Sequence, residues 1–387
     1  MSPTVRLPRP DGGVQELVLR EPGSWTRPSQ PIESRVAYAA AHVVADPRGD
    51  NAPGRPAAVD WDATLAVRRE LWSWGLGVAD AMDTAQRGMG LDWAATRELV
   101  RRSGAEAAAC GGRLVAGAST DQTTDPLPDL AAVTAAYEEQ LAVVEDAGAV
   151  PVLMASRHLA ALGAGADDYL SVYSRLLGQV RGPVVLHWLG DVFDPALAGY
   201  WGSADLDAAT ETFVALVRAH EGAVDGVKVS LLDAAREVAL RELLPASVKV
   251  YTGDDYHYPE LIRGEGGRYS HALLGAFAAI APAASTALQH LDRGDEDAFS
   301  AVLDATVPLS RHVFSTPTPY YKTGIAFLAW LNGLQPGFTM VGGLQSGRSV
   351  PHLVETFRLA DAAGLLRDPD LAASRIASFL TVTGALA

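Results

Sequence analysis

Lys228 is the residue whose type and surroundings point to the most specific chemistry. It sits inside the apolar run Gly226-Val227-Lys228-Val229-Ser230. Burial disfavours an ammonium, lowers its pKa and leaves an uncharged amine able to attack a carbonyl carbon. Arginine stays protonated and has no such use. The composition sharpens the point. Of 31 basic side chains only Lys228, Lys249 and Lys322 are lysine, so 28 are arginine. This chain uses arginine almost wherever a surface cation would serve, and a lysine within a strand stands out. Lys249 reads as a cation at the start of a strand, near the closed end of the fold. Lys322 follows the break Ser315-Thr316-Pro317-Thr318-Pro319 and reads as a helix-start cation. The plainer account of Lys228 is a strand-end cation paired with Asp225 or Asp254.

Other polar residues follow short apolar runs, where they are costly unless they face a binding site. These are His42, Asp80 with Asp83, Arg157, His187 and the cluster Asp254-Asp255-Tyr256-His257. His187 is suited to general acid–base work near neutral pH. His42, Asp80, Asp83, Thr84, Arg157, Asp254, Asp255 and His257 are candidates for orienting a substrate. Carboxylates and imidazoles bond well to hydroxyls. His42, Asp80, His187, Asp254 and His257 also allow a second reading, a divalent-metal site, although no compact spacing supports it.

The elements that must position these residues follow from periodicity. Residues 4–20 alternate around Pro10-Asp11-Gly12-Gly13 and predict a β-hairpin. From Val36 onward, apolar runs of about five residues alternate with stretches of about 10–15 residues at helical spacing. Eight such units predict a (β/α)8 barrel with catalytic groups at the C-terminal strand ends. The expected organisation is a hairpin and arm over 1–30, the barrel over 31–284, and helices packed on it over 285–387. A net charge of −15 in 387 residues argues against nucleic-acid binding. The lone Cys110 excludes a disulfide framework. No signal peptide or membrane-length apolar run is visible, so a cytoplasmic protein acting on a small molecule is expected. No Gly-x-Gly-x-x-Gly follows the first strand and no Walker-A sequence occurs, so no nucleotide cofactor is expected.

Three segments carry a family resemblance. Gly226-Val227-Lys228, then Tyr251-Thr252-Gly253-Asp254-Asp255, then the stretch ending Ile280-Ala281-Pro282 resemble the dihydrodipicolinate synthase and N-acetylneuraminate lyase family. Thr316 to Lys322 resembles that family's proline-rich segment before its last helices. The resemblance spans about 36–340 in order. It implies a (β/α)8 barrel, a Schiff base on Lys228, no cofactor and a homo-oligomer. Two departures stand out. The loop that holds a substrate carboxylate in the family is here Asp80-Ala81-Met82-Asp83-Thr84-Ala85-Gln86-Arg87-Gly88. Its two carboxylates repel a 2-oxo acid, while Thr84 matches one family threonine and Arg87 offers a positive charge. The family's catalytic tyrosine is replaced by His187. The residues thus favour a Schiff-base aldolase or dehydratase of a keto-sugar or other polyhydroxy carbonyl compound. A metal-dependent sugar isomerase or epimerase, and a barrel that only binds a metabolite, remain open at this point.

Overall fold

The computed structural model describes residues 2–9, 11–82 and 86–386. The N-terminal alternation folds as its pattern requires. Strand β1 (Thr4–Pro8) pairs antiparallel with β2 (Val14–Val18), and Gly12 adopts the positive φ of 84° that the turn needs. Val5 and Leu7 turn inward and are buried, with β1 packed against the C-terminal helices. The arm that follows is tied there too. The Arg20 backbone N–H donates to Asp361 Oδ1 at 2.9 Å, and Trp25 Nε1 donates to the Gly364 carbonyl at 3.1 Å.

Strands and helices then alternate: β3 (Ala37–Ala40), α1 (Trp61–Ser73), β4 (Gly77–Asp80), α2 (Trp93–Cys110), β5 (Leu114–Ala118), α3 (Leu130–Asp146) and β6 (Val150–Leu153). After β6 come α4 (Arg157–Ala161), α5 (Ala166–Leu177), β7 (Val184–Leu189), α6 (Leu206–Ala219) and β8 (Val224–Ser230). The rest of the barrel is α7 (Ala234–Leu243), β9 (Lys249–Thr252), α8 (Tyr258–Arg263) and β10 (His271–Leu274). Strands β3 to β10 close into one barrel of eight, every neighbouring pair parallel. The fold is the expected TIM barrel. Part of the acidic excess goes into starting its helices. Asp60, Asp92, Asp129 and Asp233 each accept a backbone N–H from the first turn of α1, α2, α3 and α7.

Side chains alternate across each strand. Tyr38, Ala40, Ala79, Val115, Val152, Val185, Tyr251 and Leu273 fill the interior as one apolar cluster, with Met82 and Met154 above them. Helix α9 (Phe277–Asp292) leads from β10 across residue 284 into the C-terminal region. Helices α10 (Glu296–Asp304), α11 (Val307–Val313), α12 (Tyr321–Leu331), α13 (Val350–Ala362) and α14 (Pro369–Val382) complete the chain. Helix α12 is buried along nearly its whole length. Among the described residues, no helix is long and apolar enough to cross a membrane.

Candidate active site

Register places Lys228 of β8 beside His187 of β7 on one side and Tyr251 of β9 on the other. Gly226, Lys228 and Ser230 share one face of β8. Both Lys228 and His187 are buried. His187 Nε2 lies 3.0 Å from Ser230 Oγ, which fixes the plane of the ring. Glycine makes the room for the lysine. A Cβ on Gly253 would lie 2.2 Å from Ser230 Oγ and 3.0 Å from Lys228 Cε. A Cβ on Gly275 would lie 2.6 Å from Phe314 and 2.8 Å from Tyr321. Those two rings, stacked with centroids 4.3 Å apart, come in from the C-terminal region over the strand ends.

The loop after β9 supplies acid. Asp254 closes a tight turn by accepting the backbone N–H groups of Tyr256 at 2.8 Å and His257 at 3.0 Å, and its other oxygen meets His257 Nδ1 at 2.9 Å. Asp255 is buried and accepts the Ala276 N–H at 2.8 Å. Desolvation pushes its pKa up to about 7, against the opposing pull of Lys228 and Lys322.

Lys322 was expected as an ordinary helix-start cation. It is the second residue of α12, but it is fully buried and its amine donates to the Ala40 carbonyl at the end of β3. Burial, followed by the nearby Arg68 charge, lowers its pKa to about 7. It also feels Asp255, Asp80 and Lys228. The helix therefore delivers a second amine to the charge cluster around Lys228. A sequence signal existed: Lys322 is the one charged residue in the run Tyr321–Leu331.

The remaining candidates fall into three groups. Asp80 is committed: Arg68 of α1 meets its two oxygens at 2.7 and 3.4 Å, with both side chains fully buried. Arg68 also donates to the His42 and Thr64 carbonyls. His42 points under the C-terminal region, its Nε2 2.7 Å from Gln335 Oε1. Because the Gln335 amide nitrogen donates to the Gly337 carbonyl, Oε1 is the acceptor and His42 carries its proton on Nε2. Burial, more than any neighbour, lowers its pKa to about 3 and keeps it neutral. Arg157 lies to one side, bonded to Asp194 at 2.5 Å. It rims a cavity of about 450 Å³ above β5, β6 and β7 that Ser119, Thr120, Thr123, Met154 and His158 also line. Arg87, the possible cation of the second loop, is held bidentate by Asp121 and by the carbonyls of Ala81 and Gly117. Asp83 and Thr84 lie outside the described residues.

The plainer pairing of Lys228 with Asp225 does not occur, because Asp225 serves Lys249 at 2.5 Å. The metal reading is not assembled either. Among the described residues no three His, Cys, Asp or Glu side chains converge to hold an ion. Of its proposed ligands, Asp80 is held by Arg68, His42 by Gln335 and His187 by Ser230, while Asp254 and His257 hold each other.

Residues 5–385 match the model of a family described as a protein of unknown function, DUF993. The chain belongs to that family. No curated protein matches its sequence. Solved structures similar to this DUF993 chain include YagE from E. coli K12, a prophage protein of the dihydrodipicolinic acid synthase family in complex with pyruvate. It has a TM-score of 0.67 and 14% identity, over 86% of this chain and 99% of that one. Dihydrodipicolinate synthase from Acinetobacter baumannii complexed with pyruvate gives 0.64 and 17%, over 86% and 100%. The Aquifex aeolicus enzyme gives 0.65 and 12%, over 86% and 99%. The DUF993 chain thus has the fold that the sequence resemblance implied.

Proposed function

We propose that this protein is a Schiff-base lyase, an aldolase or dehydratase, with Lys228 as the nucleophile. The observation that carries this reading is a buried lysine on the sixth barrel strand, beside a histidine in register on the fifth. In this reading the uncharged amine adds to a ketone carbon, and the carbinolamine loses water to give an iminium. His187, held by Ser230, moves the protons of these steps. In an aldolase it takes the proton of the β-hydroxyl. The Cα–Cβ bond then breaks, its electron pair enters the iminium as an enamine, and an aldehyde leaves. In a dehydratase an α-proton is removed and the β-hydroxyl departs as water.

Two features support a hydroxyl-rich carbonyl compound as substrate. Arg68, Arg87 and Arg157 are each matched by a carboxylate. The cavity over β5–β7, whose lining includes neither Lys228 nor His187, offers hydroxyls, an imidazole and ion pairs that bond to alcohols. Lys228 would hold the carbonyl carbon, while Asp255 and the Asp254–His257 pair would orient hydroxyls nearby.

Borohydride reduces an iminium to a stable secondary amine. The protein should therefore gain the mass of one reduced adduct with a suitable keto-sugar, mapped to the peptide that holds Lys228. Lys228→Ala should abolish trapping and lower turnover by more than about a thousandfold, the scale for losing a covalent nucleophile. His187→Phe should slow trapping by about 10²–10⁴ without preventing it. Unchanged trapping in Lys228→Ala, or none with any ketone or 2-oxo acid, would sink the assignment.

A further inference from the structure

We propose that the cavity over β5–β7 is the subsite for the hydroxylated chain of the substrate beyond its carbonyl, and that His158 is the residue that selects hydroxyls there. Its place in a lyase rests on the Schiff-base reading; the binding of a neutral polyol does not.

Register fixes where the cavity lies. Residues two apart share one face of a strand. Val115, Val152 and Val185 fill the barrel interior. Ser119, Met154 and Leu189 continue those same faces of β5, β6 and β7 at the C-terminal ends, and all three line the cavity. Leu189 stands two positions beyond His187, which is paired in register with Lys228. The cavity therefore opens on the barrel mouth, next to the strand pair that carries the catalytic candidates, although neither of them lines it.

A chain of hydrogen bonds aims His158. Its Nδ1 lies 2.8 Å from Thr120 Oγ1, which lies 2.7 Å from Ser156 Oγ. Ser156 Oγ accepts the Leu159 backbone N–H at 3.0 Å and so caps α4. Each hydroxyl has one proton to give. Within this chain one arrangement finds an acceptor for both: Ser156 donates to Thr120, and Thr120 donates to His158 Nδ1. The opposite direction leaves the Ser156 proton without an acceptor among these groups. The neutral imidazole therefore carries its proton on Nε2. That atom has no partner among the described residues and is not sealed from water, so its N–H is offered to the cavity. The turn that carries the ring is braced from beneath. The Ser156 backbone N–H donates to the Tyr200 hydroxyl at 2.9 Å, and the Tyr200 and Tyr173 hydroxyls lie 2.9 Å apart, all buried.

The charges at the cavity wall cancel in pairs. Arg157 meets Asp194 at 2.5 Å and Arg87 meets Asp121 at 2.6 Å. A site that is neutral overall and walled by hydroxyls and an imidazole N–H favours alcohols over an anion. Its volume of about 450 Å³ is in the usual range for small-molecule sites, about 300–1,000 Å³.

Erythritol is a suitable probe, a neutral polyol that forms no imine with lysine. With nine histidines in the chain, 15N-histidine labelling gives a small set of ring signals, and His158→Gln assigns the one that matters. The unaltered protein should hold His158 as the Nε2–H tautomer, and erythritol should shift the Nε2 signal. 1-Butanol, with the same carbon chain and a single hydroxyl, should leave it in place. D-Erythronate, the same chain ending in a carboxylate, should bind more weakly than erythritol. Affinity for erythritol should fall about three- to tenfold in His158→Phe, the scale of one lost hydrogen bond. His158→Gln keeps an N–H and should restore part of that loss. The erythritol shift should persist in Lys228→Ala.

A His158 signal that erythritol does not move up to its solubility limit, an Nδ1–H tautomer, or tighter binding of erythronate would overturn the proposal. So would equal losses in His158→Phe and His158→Gln, which would assign the effect to packing. If His158→Phe does not fold, the tautomer and the erythritol shift of the unaltered protein still decide. A shift at His158 without any borohydride trapping keeps the polyol site and removes the Schiff-base reading; trapping on Lys228 with His158 unmoved does the reverse.

Discussion

The two ends of the barrel treat lysine in opposite ways. At the base, Lys249 meets Asp225 at 2.5 Å, Tyr251 donates to the other Asp225 oxygen at 2.7 Å, and both members of the ion pair remain about one-third exposed. Tyr38 and Tyr251 fill the interior there, ring centroids 5.9 Å apart. At the mouth, glycines 253 and 275 replace bulk with space, and two amines are buried, with Asp255 near both of them. The base keeps its lysine partly in water; the mouth buries both of its lysines. A lysine in a strand is thus not a functional signal by itself. What matters is whether water can reach it.

The largest expected difference between the ends is in stability. Arg68→Met strands the Asp80 carboxylate in a fully buried position and should cost about 3–5 kcal/mol. Lys249→Met removes a partly exposed pair and should cost about 1 kcal/mol or less. Urea unfolding of the two variants compares them, and equal costs would erase the contrast. A smaller effect tests the glycines. Gly253→Ala puts a methyl against Ser230 Oγ and the Val229 carbonyl and should cost about 1–3 kcal/mol, with reduced trapping at Lys228. Gly222→Ala, near the base and facing open space, should stay within about 0.5 kcal/mol.

A pair of slopes tests the same contrast through pH. Asp255 rises from 3.8 to about 7 on folding. Between those values the folded chain holds a proton that the unfolded chain has lost, so this group makes stability fall as pH rises. Lys322 falls from 10.5 to about 7. Above 7 the unfolded chain holds the extra proton, so this group makes stability rise with pH up to about 10.5. Thermal melts across pH 4–10 should therefore show Asp255→Asn flattening the acid side and Lys322→Met the alkaline side. Swapped or absent effects would mean that the two groups are solvated, as Lys249 is.

The barrel was legible because its signal is repetitive: short apolar strands and helical spacing recur along the chain. Lys228 was legible because an apolar strand makes a lysine conspicuous. The partners were not. His187 and Lys228 are 41 positions apart, and only register across parallel strands makes them neighbours. Asp80 ends a strand and so reads as a hydroxyl-binding group, whereas the arginine that neutralises it sits mid-helix in α1. His42 likewise answers to Gln335, beyond the barrel. Lys322 does start a helix, and only its burial was hidden, for a related reason. A helix start is usually solvated, and nothing local shows that this one is driven into the strand ends by the buried face of α12.

The reach of that helix also bears on how the site comes into being. Ala40 and Lys322 are separated by 282 residues, and His42 and Gln335 by 293. Contacts at such separations form late, because the loop they close must be ordered first. A nascent chain that has just completed β10 already owns the strand lysine and its histidine, but not the second amine. The strand ends would then be completed in two stages, first with barrel closure and again when α12 docks.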